Sequence, residues 1–242
     1  MKKANNSLLI NCIYKAHEGE GIWVGSPQIF IRVQGCAIGC VNCDTKESWD
    51  FDEASRVTLD EILNQVEELS ISDSREFPIK RISITGGDPL DPRHALDVLE
   101  ISKELKARGF YINIEASGAR LDRDIFAIVD FISFDFKTPS TEVRTSIQHI
   151  KKLFLEFPGK FQIKAVIAHK QDFFATYDAF IQLKNDHILI KEWVLTPCFE
   201  PGTEFSKKQF EDIVSWNYSV GGPFRVIGQQ HKWIYGPNER QV

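Results

Sequence analysis

Short apolar segments alternate with longer amphipathic ones along most of this 242-residue chain, and the alternation limits the folds open to it. The short segments are rich in β-branched and aromatic residues, as buried strands are. They cover residues 8–14, 28–33, 81–85, 111–115, 131–136, 162–168 and 193–196. Strands that alternate with helices predict a helix-covered parallel sheet, either doubly wound or a whole or partial (β/α) barrel.

The clearest predicted helix begins after Thr58. Thr58 and Glu61 have the spacing of a capping box, and apolar residues follow at helical intervals. Further helical patterns cover residues 94–108, 145–156, 173–183 and 206–216, and Gly109 ends the first of these. In α/β folds of this kind, the carboxyl ends of the strands carry the chemistry.

Composition and charge narrow the class of protein. Hydrophobic residues make up 43% of the chain, so a packed core is expected. A net charge of −5 argues against broad nucleic-acid binding, which needs a basic surface. No apolar stretch has the length of a membrane span, and the N-terminus lacks the pattern of a signal peptide. We therefore expect a cytoplasmic protein that folds as a single domain over residues 1–242.

Three of the five cysteines, Cys36, Cys40 and Cys43, form a C-x3-C-x2-C pattern after the second predicted strand. Thiolates this close in sequence can converge on a soft metal centre, whereas a disulfide would leave one thiol over. Three thiolates favour a 4Fe–4S cluster with one open iron, because a structural zinc site has four protein ligands. A zinc site completed by a remote histidine or by Cys198 is the alternative. Packing roles are expected for Cys12, as a buried apolar residue, and for Cys198.

The cysteine pattern resembles the hallmark of the radical S-adenosylmethionine (SAM) superfamily. Residues 85–89, Thr-Gly-Gly-Asp-Pro, are similar to the superfamily's GGEP motif, with aspartate in the position of glutamate. The resemblance implies an α/β fold, a partial (incomplete) (β/α) barrel of the radical SAM type. It also implies a 4Fe–4S cluster whose open iron binds SAM, which one electron cleaves to a 5′-deoxyadenosyl radical.

A narrower resemblance covers nearly the whole chain, including family-specific N- and C-terminal segments. Motifs of 7-carboxy-7-deazaguanine synthases resemble residues 17–21 (His-Glu-Gly-Glu-Gly), 30–36 (F-x-R-x-x-G-C), 43–45 (Cys-Asp-Thr) and 229–232 (Gln-Gln-His-Lys). These enzymes convert 6-carboxy-5,6,7,8-tetrahydropterin to 7-carboxy-7-deazaguanine and ammonia, in the biosynthesis of queuosine and other 7-deazapurines. The resemblance implies this activity, an Mg²⁺ ion, a flavodoxin-like electron donor and a homodimer.

The resemblance also assigns site residues. Cys36, Cys40 and Cys43 would hold the cluster, and the Thr45 hydroxyl would bind Mg²⁺, which prefers oxygen ligands. The residues assigned to SAM are Asn42, Cys43, Asp44, Gly87, Asp135, Phe136, Lys137, Thr196, Pro197, Cys198 and Phe199. The residues assigned to the pterin are His17, Glu18, Gly19, Arg32, Thr85 and Val242, with Glu20 in the catalytic role.

Structural roles stay open for several of these residues. Arg32 can form a forked pair with a substrate carboxylate, or be a charge at the rim of a strand. Glu20 can accept two N–H bonds from the pterin, or be a solvated turn residue. Val242 can place its terminal carboxylate on the substrate, or belong to a frayed tail. His231 is expected to be structural.

One departure from the family pattern lies at the pterin site, where Glu18 replaces the usual glutamine and adds a charge. Two other functions also remain open. A glycyl-radical activating enzyme shares the cysteine spacing and the Gly-Gly segment, but acts on a protein backbone. A zinc-binding interaction module is the non-catalytic alternative.

Overall fold

The computed structural model describes residues 6–71, 76–199, 206–236 and 239–241, and nine strands within them form one sheet. The strands are β1 (Ser7–His17), β2 (Pro27–Val33), β3 (Arg56–Thr58), β4 (Arg81–Gly86), β5 (Tyr111–Ala116), β6 (Phe131–Asp135), β7 (Phe161–Ile167), β8 (Trp193–Pro197) and β9 (Arg225–Val226). Their order across the sheet is β3-β1-β2-β4-β5-β6-β7-β8-β9.

The strand order shows which α/β architecture the chain adopts. From β2 onward the strands follow one another in chain order and run parallel, while β1 and β3 extend one edge antiparallel. In a doubly wound sheet the strand order would reverse part-way across the sheet. No such reversal occurs from β2 to β9, so the order is that of a barrel. Within the described residues, β3 and β9 are outer strands, which confirms a partial rather than a closed barrel.

Helices connect and cover these strands. They are α1 (Leu59–Ser70), α2 (Ala95–Ala107), α3 (Arg123–Ile128), α4 (Ile147–Glu156), α5 (Lys170–Asn185), α6 (Lys207–Ser219) and α7 (Gln230–Tyr235). The capping box is present, because the Glu61 amide donates to Thr58 Oγ1 (3.3 Å) and the Thr58 amide donates to the Glu61 carboxylate (2.9 Å). Gly109 follows α2 with a φ of +78°, as a helix C-terminus favours.

The predicted strands and helices are confirmed, and their ends shift by at most three residues. Apart from 3₁₀ turns, four short elements of the described residues were not predicted, namely β3, β9, α3 and α7. None is longer than six residues, which is too short to show a clear hydrophobic period. Within the part of the chain that the structure describes, no helix is both long enough and apolar enough to traverse a bilayer.

The two faces of the sheet differ in chemistry. One face carries fully buried aliphatic residues that belong to the core with the helices, among them Ile29, Ile31, Ile82, Ile84, Ile112 and Ile114. The opposite face carries buried polar residues, namely Gln28, Ser83, Asn113, Ser133 and Gln162. These groups satisfy one another across the strands: Asn113 Nδ2 donates to Ser83 Oγ (2.8 Å) and Gln162 Nε2 donates to Ser133 Oγ (2.8 Å).

This polar face leads directly to the functional residues. Successive side chains of a strand alternate between faces, so residues two positions further along share the face. Those residues are Thr85 on β4, Glu115 on β5, Asp135 on β6 and Lys164 on β7. The ladder register agrees, because Glu115 pairs with Ser133 and Asp135 pairs with Lys164.

The hairpin between β1 and β2 closes the amino end of the polar face. Its 3₁₀ turn, Gly21–Trp23, is held by the Ile22 amide, which donates to Gln162 Oε1 (2.9 Å). Gly21 has a φ of +69°, and a Cβ there would lie 2.4 Å from Gln162 Nε2, so the turn needs glycine. Arg81 stacks on the Trp23 ring at 4.3 Å. These contacts hold the preceding residues 17–20 against the inside of the sheet.

Candidate active site

A cavity of about 540 Å³ runs along the polar face to the carboxyl ends of the strands. The predicted site residues that line it are His17, Glu18, Gly19, Glu20, Arg32, Cys36, Cys40, Asn42, Cys43, Asp44, Thr45, Thr85, Gly87, Asp135, Phe136, Lys137, Thr196, Cys198 and Phe199. Pro197 does not line it, because Thr196 faces the cavity and the next residue of a strand faces away. Val242 lies outside the described residues.

N–H donors point at two of the three sulfur atoms of the cysteine loop. The Trp49 indole donates to Cys43 Sγ (3.4 Å), and so does the Thr45 amide (3.4 Å). The Ile38 amide donates to Cys36 Sγ (3.5 Å). Donors of this kind stabilise the negative charge of thiolates and of iron–sulfur clusters. The loop is therefore suited to sulfur atoms that bind metal.

The cysteine side chains themselves are half-buried. Burial raises the pKa of the Cys36 and Cys40 thiols, so metal binding is what favours their thiolate forms. No three His, Cys, Asp or Glu side chains in the described ranges converge closely enough to ligate one metal ion. In a cluster each thiolate binds a different iron, so its cysteines need only face a common space. Cys36, Cys40 and Cys43 do so.

Gly86 and Gly87 bring the end of β4 against the cysteine loop. The Gly87 amide donates to the Val33 carbonyl (3.1 Å), and a Cβ on Gly87 would lie 2.3 Å from the Gly35 carbonyl oxygen. Gly86 has a φ of +89°, and a Cβ there would lie 2.1 Å from Arg32 Cγ. Only glycine fits at both positions, so this segment presents backbone rather than side chains to the cavity.

Asp88, the residue that departs from the GGEP pattern, is fully buried and paired. Its carboxylate accepts hydrogen bonds from the Arg120 guanidinium, the Leu90 amide (3.3 Å) and the Ser117 hydroxyl (3.4 Å). Burial raises the pKa of Asp88 although Arg120 opposes the rise. The pair ties the segment after β4 to the loop after β5.

Lys137 brings a buried positive charge to the cysteine loop. Its Nζ lies 2.7 Å from the Asp135 carboxylate. Burial opposes the charge, but Asp135 and Cys40 outweigh it and raise the pKa of Lys137. A permanent cation beside Cys40 favours the thiolate form of that side chain.

Lys164 lies between two carboxylates elsewhere in the cavity. Its Nζ is 2.6 Å from Glu115 Oε2 and 3.5 Å from Glu20 Oε2, and Gln229 Nε2 donates to Glu20 Oε1 (2.6 Å). Burial opposes the positive charge of Lys164, but the two carboxylates hold its pKa well above the ordinary value. In the same way, Lys164 and Gln229 overcome burial and lower the pKa of Glu20. Glu20 is therefore an anchored carboxylate rather than a solvated turn residue.

Segments from opposite ends of the chain meet beside these charges. The Gln230 amide donates to the Gly19 carbonyl (2.9 Å). His231 packs so closely on Gly19 that a Cβ there would lie 1.9 Å from His231 Nδ1. Residues 17–20 and 229–232, which resemble separate family motifs, thus form one wall of the cavity.

Arg32 lies on the cavity-facing side of β2, where its guanidinium donates to the Tyr14 hydroxyl (3.3 Å). Cys12 pairs with Arg32 across β1 and β2, and it also lines the cavity. The expectation that Cys12 is a buried apolar residue was wrong, because the register shifts between Ile10 and Cys12 and turns Cys12 to the polar face. Cys198 lines the cavity too.

Comparison with known proteins identifies the family. The model of the Radical SAM superfamily matches residues 30–156, more than half of the chain. A 7-carboxy-7-deazaguanine synthase of Pyrobaculum aerophilum is 35% identical over 230 residues, 93% of each chain. The chain belongs to the 7-carboxy-7-deazaguanine synthase family of the radical SAM superfamily.

Other relatives agree with this assignment. A 7-carboxy-7-deazaguanine synthase of Buchnera aphidicola is 29% identical over 188 residues, which span 73% of this chain and 78% of that protein. The crystal structure of QueE from Escherichia coli has a TM-score of 0.64 at 20% identity, over 93% of this chain and 95% of its own. The structural likeness shows that the two proteins share the fold.

Membership of the radical SAM superfamily implies a 4Fe–4S cluster and SAM, and the residues of this synthase family member fit both. The N–H donors of the cysteine loop suit the cluster. The Thr196 hydroxyl is buried in the cavity wall without a hydrogen-bond partner among the described residues. An unpaired buried hydroxyl costs free energy, so Thr196 offers a bond to a ligand. Gly86 and Gly87 line the same cavity with backbone rather than side chains.

Some residues of the synthase site were not found from the sequence. Glu115, Lys164, Gln229 and Trp49 were given no functional role. Lys164 had a usable signal, since a lysine in the middle of a mainly apolar strand must find a partner. Trp49 had none, because nothing in its spacing from Cys43 shows that the indole folds back onto the sulfur.

Proposed function

We propose that this protein is a radical SAM lyase that converts 6-carboxy-5,6,7,8-tetrahydropterin to 7-carboxy-7-deazaguanine and ammonia. One observation carries the proposal: a single cavity holds the cysteine loop and the Gly86–Gly87 edge together with Arg32 and Glu20. The names of the full-length relatives support the same activity. They do not favour a glycyl-radical activating enzyme or a zinc-binding module.

The proposed roles follow from the chemistry of each side chain. When bound, the cluster and SAM supply a 5′-deoxyadenosyl radical. Arg32 binds the pterin carboxylate through its forked N–H groups, and Tyr14 orients the guanidinium from behind. Glu20 accepts hydrogen bonds from the pterin N–H groups, while Lys164 and Gln229 keep its carboxylate ionised and fixed. Holding the substrate in one pose is the main task left to the protein.

Mg²⁺ forms a further part of the proposal. Thr45 lines the cavity directly after Cys43, and its Oγ1 lies 3.6 Å from Cys43 Sγ. A hydroxyl there is a hard oxygen ligand that can bind Mg²⁺ together with oxygen atoms of the substrate. The flavodoxin-like electron donor and the homodimer remain predictions.

The test is incubation of anaerobically reconstituted protein with SAM, dithionite, Mg²⁺ and the carboxytetrahydropterin. We expect a deazapurine product, detected by its ultraviolet absorbance, and no net loss of SAM. Formation of deoxyadenosine without a deazapurine would reject the substrate and keep the radical chemistry. Stoichiometric zinc in place of iron would reject both.

A further inference from the structure

The polar face of the sheet holds a continuous series of side-chain hydrogen bonds. The Ile22 amide donates to Gln162 Oε1 (2.9 Å), and Gln162 Nε2 donates to Ser133 Oγ (2.8 Å). Ser133 Oγ donates to Asn113 Oδ1 (3.2 Å), and Asn113 Nδ2 donates to Glu115 Oε1 (2.8 Å). The series crosses β7, β6 and β5, from the 3₁₀ turn to a carboxylate of the cavity. We call its three middle side chains, those of Gln162, Ser133 and Asn113, the relay.

The direction of each bond in the relay is determined by its neighbours. A backbone amide only donates, so Ile22 fixes the oxygen of Gln162 towards the turn and its nitrogen towards Ser133. Because that nitrogen only donates, the Ser133 hydroxyl accepts there and gives its own hydrogen to Asn113. Asn113 must then turn its amide nitrogen towards Glu115.

Glu115 is held at both of its oxygens. Oε1 accepts from Asn113, and Oε2 lies 2.6 Å from Lys164 Nζ. Both partners are donors, so they favour the ionised carboxylate. An ionised carboxylate has about four acceptor positions, and Glu115 lines the cavity. It therefore offers the cavity a fixed, negatively charged acceptor.

The other end of the relay supports a second carboxylate. Gln162 holds the turn Gly21–Trp23, which directly follows Glu20. Lys164 spans the two carboxylates, since its Nζ also lies 3.5 Å from Glu20 Oε2. The relay thus joins the backbone support of Glu20 to the side chain of Glu115.

Stability alone does not account for polar side chains at these positions. Asn113, Ser133 and Gln162 are at most 2% exposed. Apolar residues of similar shape can replace a satisfied buried polar pair at little cost in stability. The opposite face of the same strands is packed in that way, with isoleucines such as Ile112 and Ile163. What a polar network adds is a defined orientation of each member.

We propose that Asn113, Ser133 and Gln162 are positioning residues: their relay holds Glu115 as an ionised acceptor and fixes its place relative to Glu20. The two carboxylates then face the pterin as one rigid pair. The inference rests on the proposed function for its kinetic consequence, but not for its effect on stability.

The first experiment reverses the last bond of the relay. Asn113→Asp removes the donor and sets two carboxylates against each other, so the thermal midpoint of the reconstituted protein should fall. Adding Glu115→Gln supplies an amide that can donate back to the new carboxylate. The double variant should therefore melt well above Asn113→Asp. A wild-type midpoint in Asn113→Asp, or no rescue in the double variant, would overturn the proposal.

Asn217 provides the matched control, because it is a buried asparagine that does not line the cavity. Its Nδ2 donates to the Phe224 carbonyl (2.9 Å), and its Oδ1 accepts from the Phe224 amide (3.3 Å). Asn217→Asp should also lower the midpoint, but Glu115→Gln should not rescue it. Equal rescue of both aspartate variants would show that the effect of Glu115→Gln is not transmitted through the relay.

Steady-state kinetics test the positioning role. The double variant keeps the hydrogen bond but moves the negative charge one residue back into the sheet. Its KM for the pterin should rise about tenfold, the equivalent of one hydrogen bond, with little change in kcat. Asn217→Asp should keep the wild-type KM although it is less stable. A wild-type KM in the double variant would reject the positioning role.

A second variant breaks the relay in its middle. Ser133→Ala leaves nothing to donate to Asn113 Oδ1, so the Asn113 amide loses its fixed orientation and KM should rise several-fold. The control is Ser102→Ala, because the equally buried Ser102 hydroxyl donates within α2. A wild-type KM in Ser133→Ala would also reject the role. If wild type yields no deazapurine, the proposed function fails, while the melting comparison still decides whether the relay holds Glu115.

Discussion

The cavity has two ends that are built in opposite ways. The cysteine end consists of Cys36, Cys40, Cys43, Gly86 and Gly87, which come from two short segments and use sulfur and backbone. The carboxylate end consists of Glu18, Glu20, Glu115, Lys164 and Gln229, which come from four distant segments and use charged or amide side chains. The first end is local in sequence and the second is assembled by the fold.

The difference matters for how each end tolerates change. At the cysteine end the loop backbone sets the geometry, so substitution of a cysteine removes a ligand and leaves the rest of the fold in place. At the carboxylate end the charges hold one another, so the loss of one partner leaves the others buried and unpaired. A substitution at the cysteine end can therefore abolish metal binding without lowering the stability of the fold. A substitution at the carboxylate end changes both ligand binding and stability.

The largest expected effect tests the independence of the cysteine end. Cys40→Ala should retain the fold but lose the cluster, so that iron content collapses and deoxyadenosine formation becomes undetectable. Iron and sulfide analysis after anaerobic reconstitution is the measurement. Cys12→Ala is the control, because Cys12 lines the same cavity beside Arg32, and its iron content should equal that of wild type. Full iron content in Cys40→Ala would contradict the cluster assignment.

The next effect tests the coupling at the carboxylate end. Lys164→Met leaves Glu20 and Glu115 without their buried partner, so the free energy of unfolding should fall by about 3–5 kcal/mol. Chemical denaturation measures it. The matched control is Lys103→Met, because Lys103 pairs with Glu100 at 2.7 Å on the exposed face of α2. That change should cost less than about 1 kcal/mol. Equal losses in the two variants would show that Lys164 is no more than a surface charge.

A smaller effect concerns the tuning of the cluster. Trp49→Phe removes the indole donor to Cys43 and should make the reduction potential more negative by about 40 mV, the one-electron equivalent of about 1 kcal/mol. Redox titration monitored by electron paramagnetic resonance measures the shift. Trp23→Phe is the matched control, since Trp23 belongs to the 3₁₀ turn Gly21–Trp23 at the amino end of the sheet and not to the cysteine loop. Unchanged potentials in both variants would remove the proposed role of Trp49.

The smallest effect concerns the unpaired hydroxyl of Thr196. Thr196→Val should lower the affinity for SAM about tenfold or less, the value of one hydrogen bond, without lowering the stability of the free protein. Equilibrium binding of SAM to reconstituted protein measures it. Thr176→Val is the opposite case, because Thr176 Oγ1 donates to the Asp172 carbonyl (2.8 Å) within α5. It should lose stability and keep its SAM affinity.

The sequence carried most of the information about the elements and the cysteine end. The capping box at Thr58, the apolar strands and the C-x3-C-x2-C loop each depend on residues within a few positions of one another, and all are present as predicted. The choice between a doubly wound sheet and a barrel needed the family resemblance, because strand order is a long-range property.

The sequence pattern misjudged residues whose environment depends on register. A one-residue bulge moved Cys12 from the apolar to the polar face, and alternation along β8 turned Pro197 away while Thr196 faced the cavity. A single slip of this kind reverses the face of a side chain without changing the hydrophobic pattern.

What the chain encodes locally is thus the cysteine loop, its glycine support and the strands that place them at one edge. What folding added is the carboxylate end, where Glu20 meets Gln229, 209 positions away, and Lys164 joins Glu20 to Glu115. The physical reason is that the cysteine ligands lie within a few residues of one another, so their spacing is visible in the sequence. Charged groups instead interact through space, and residues far apart in sequence become partners only when the sheet brings them together.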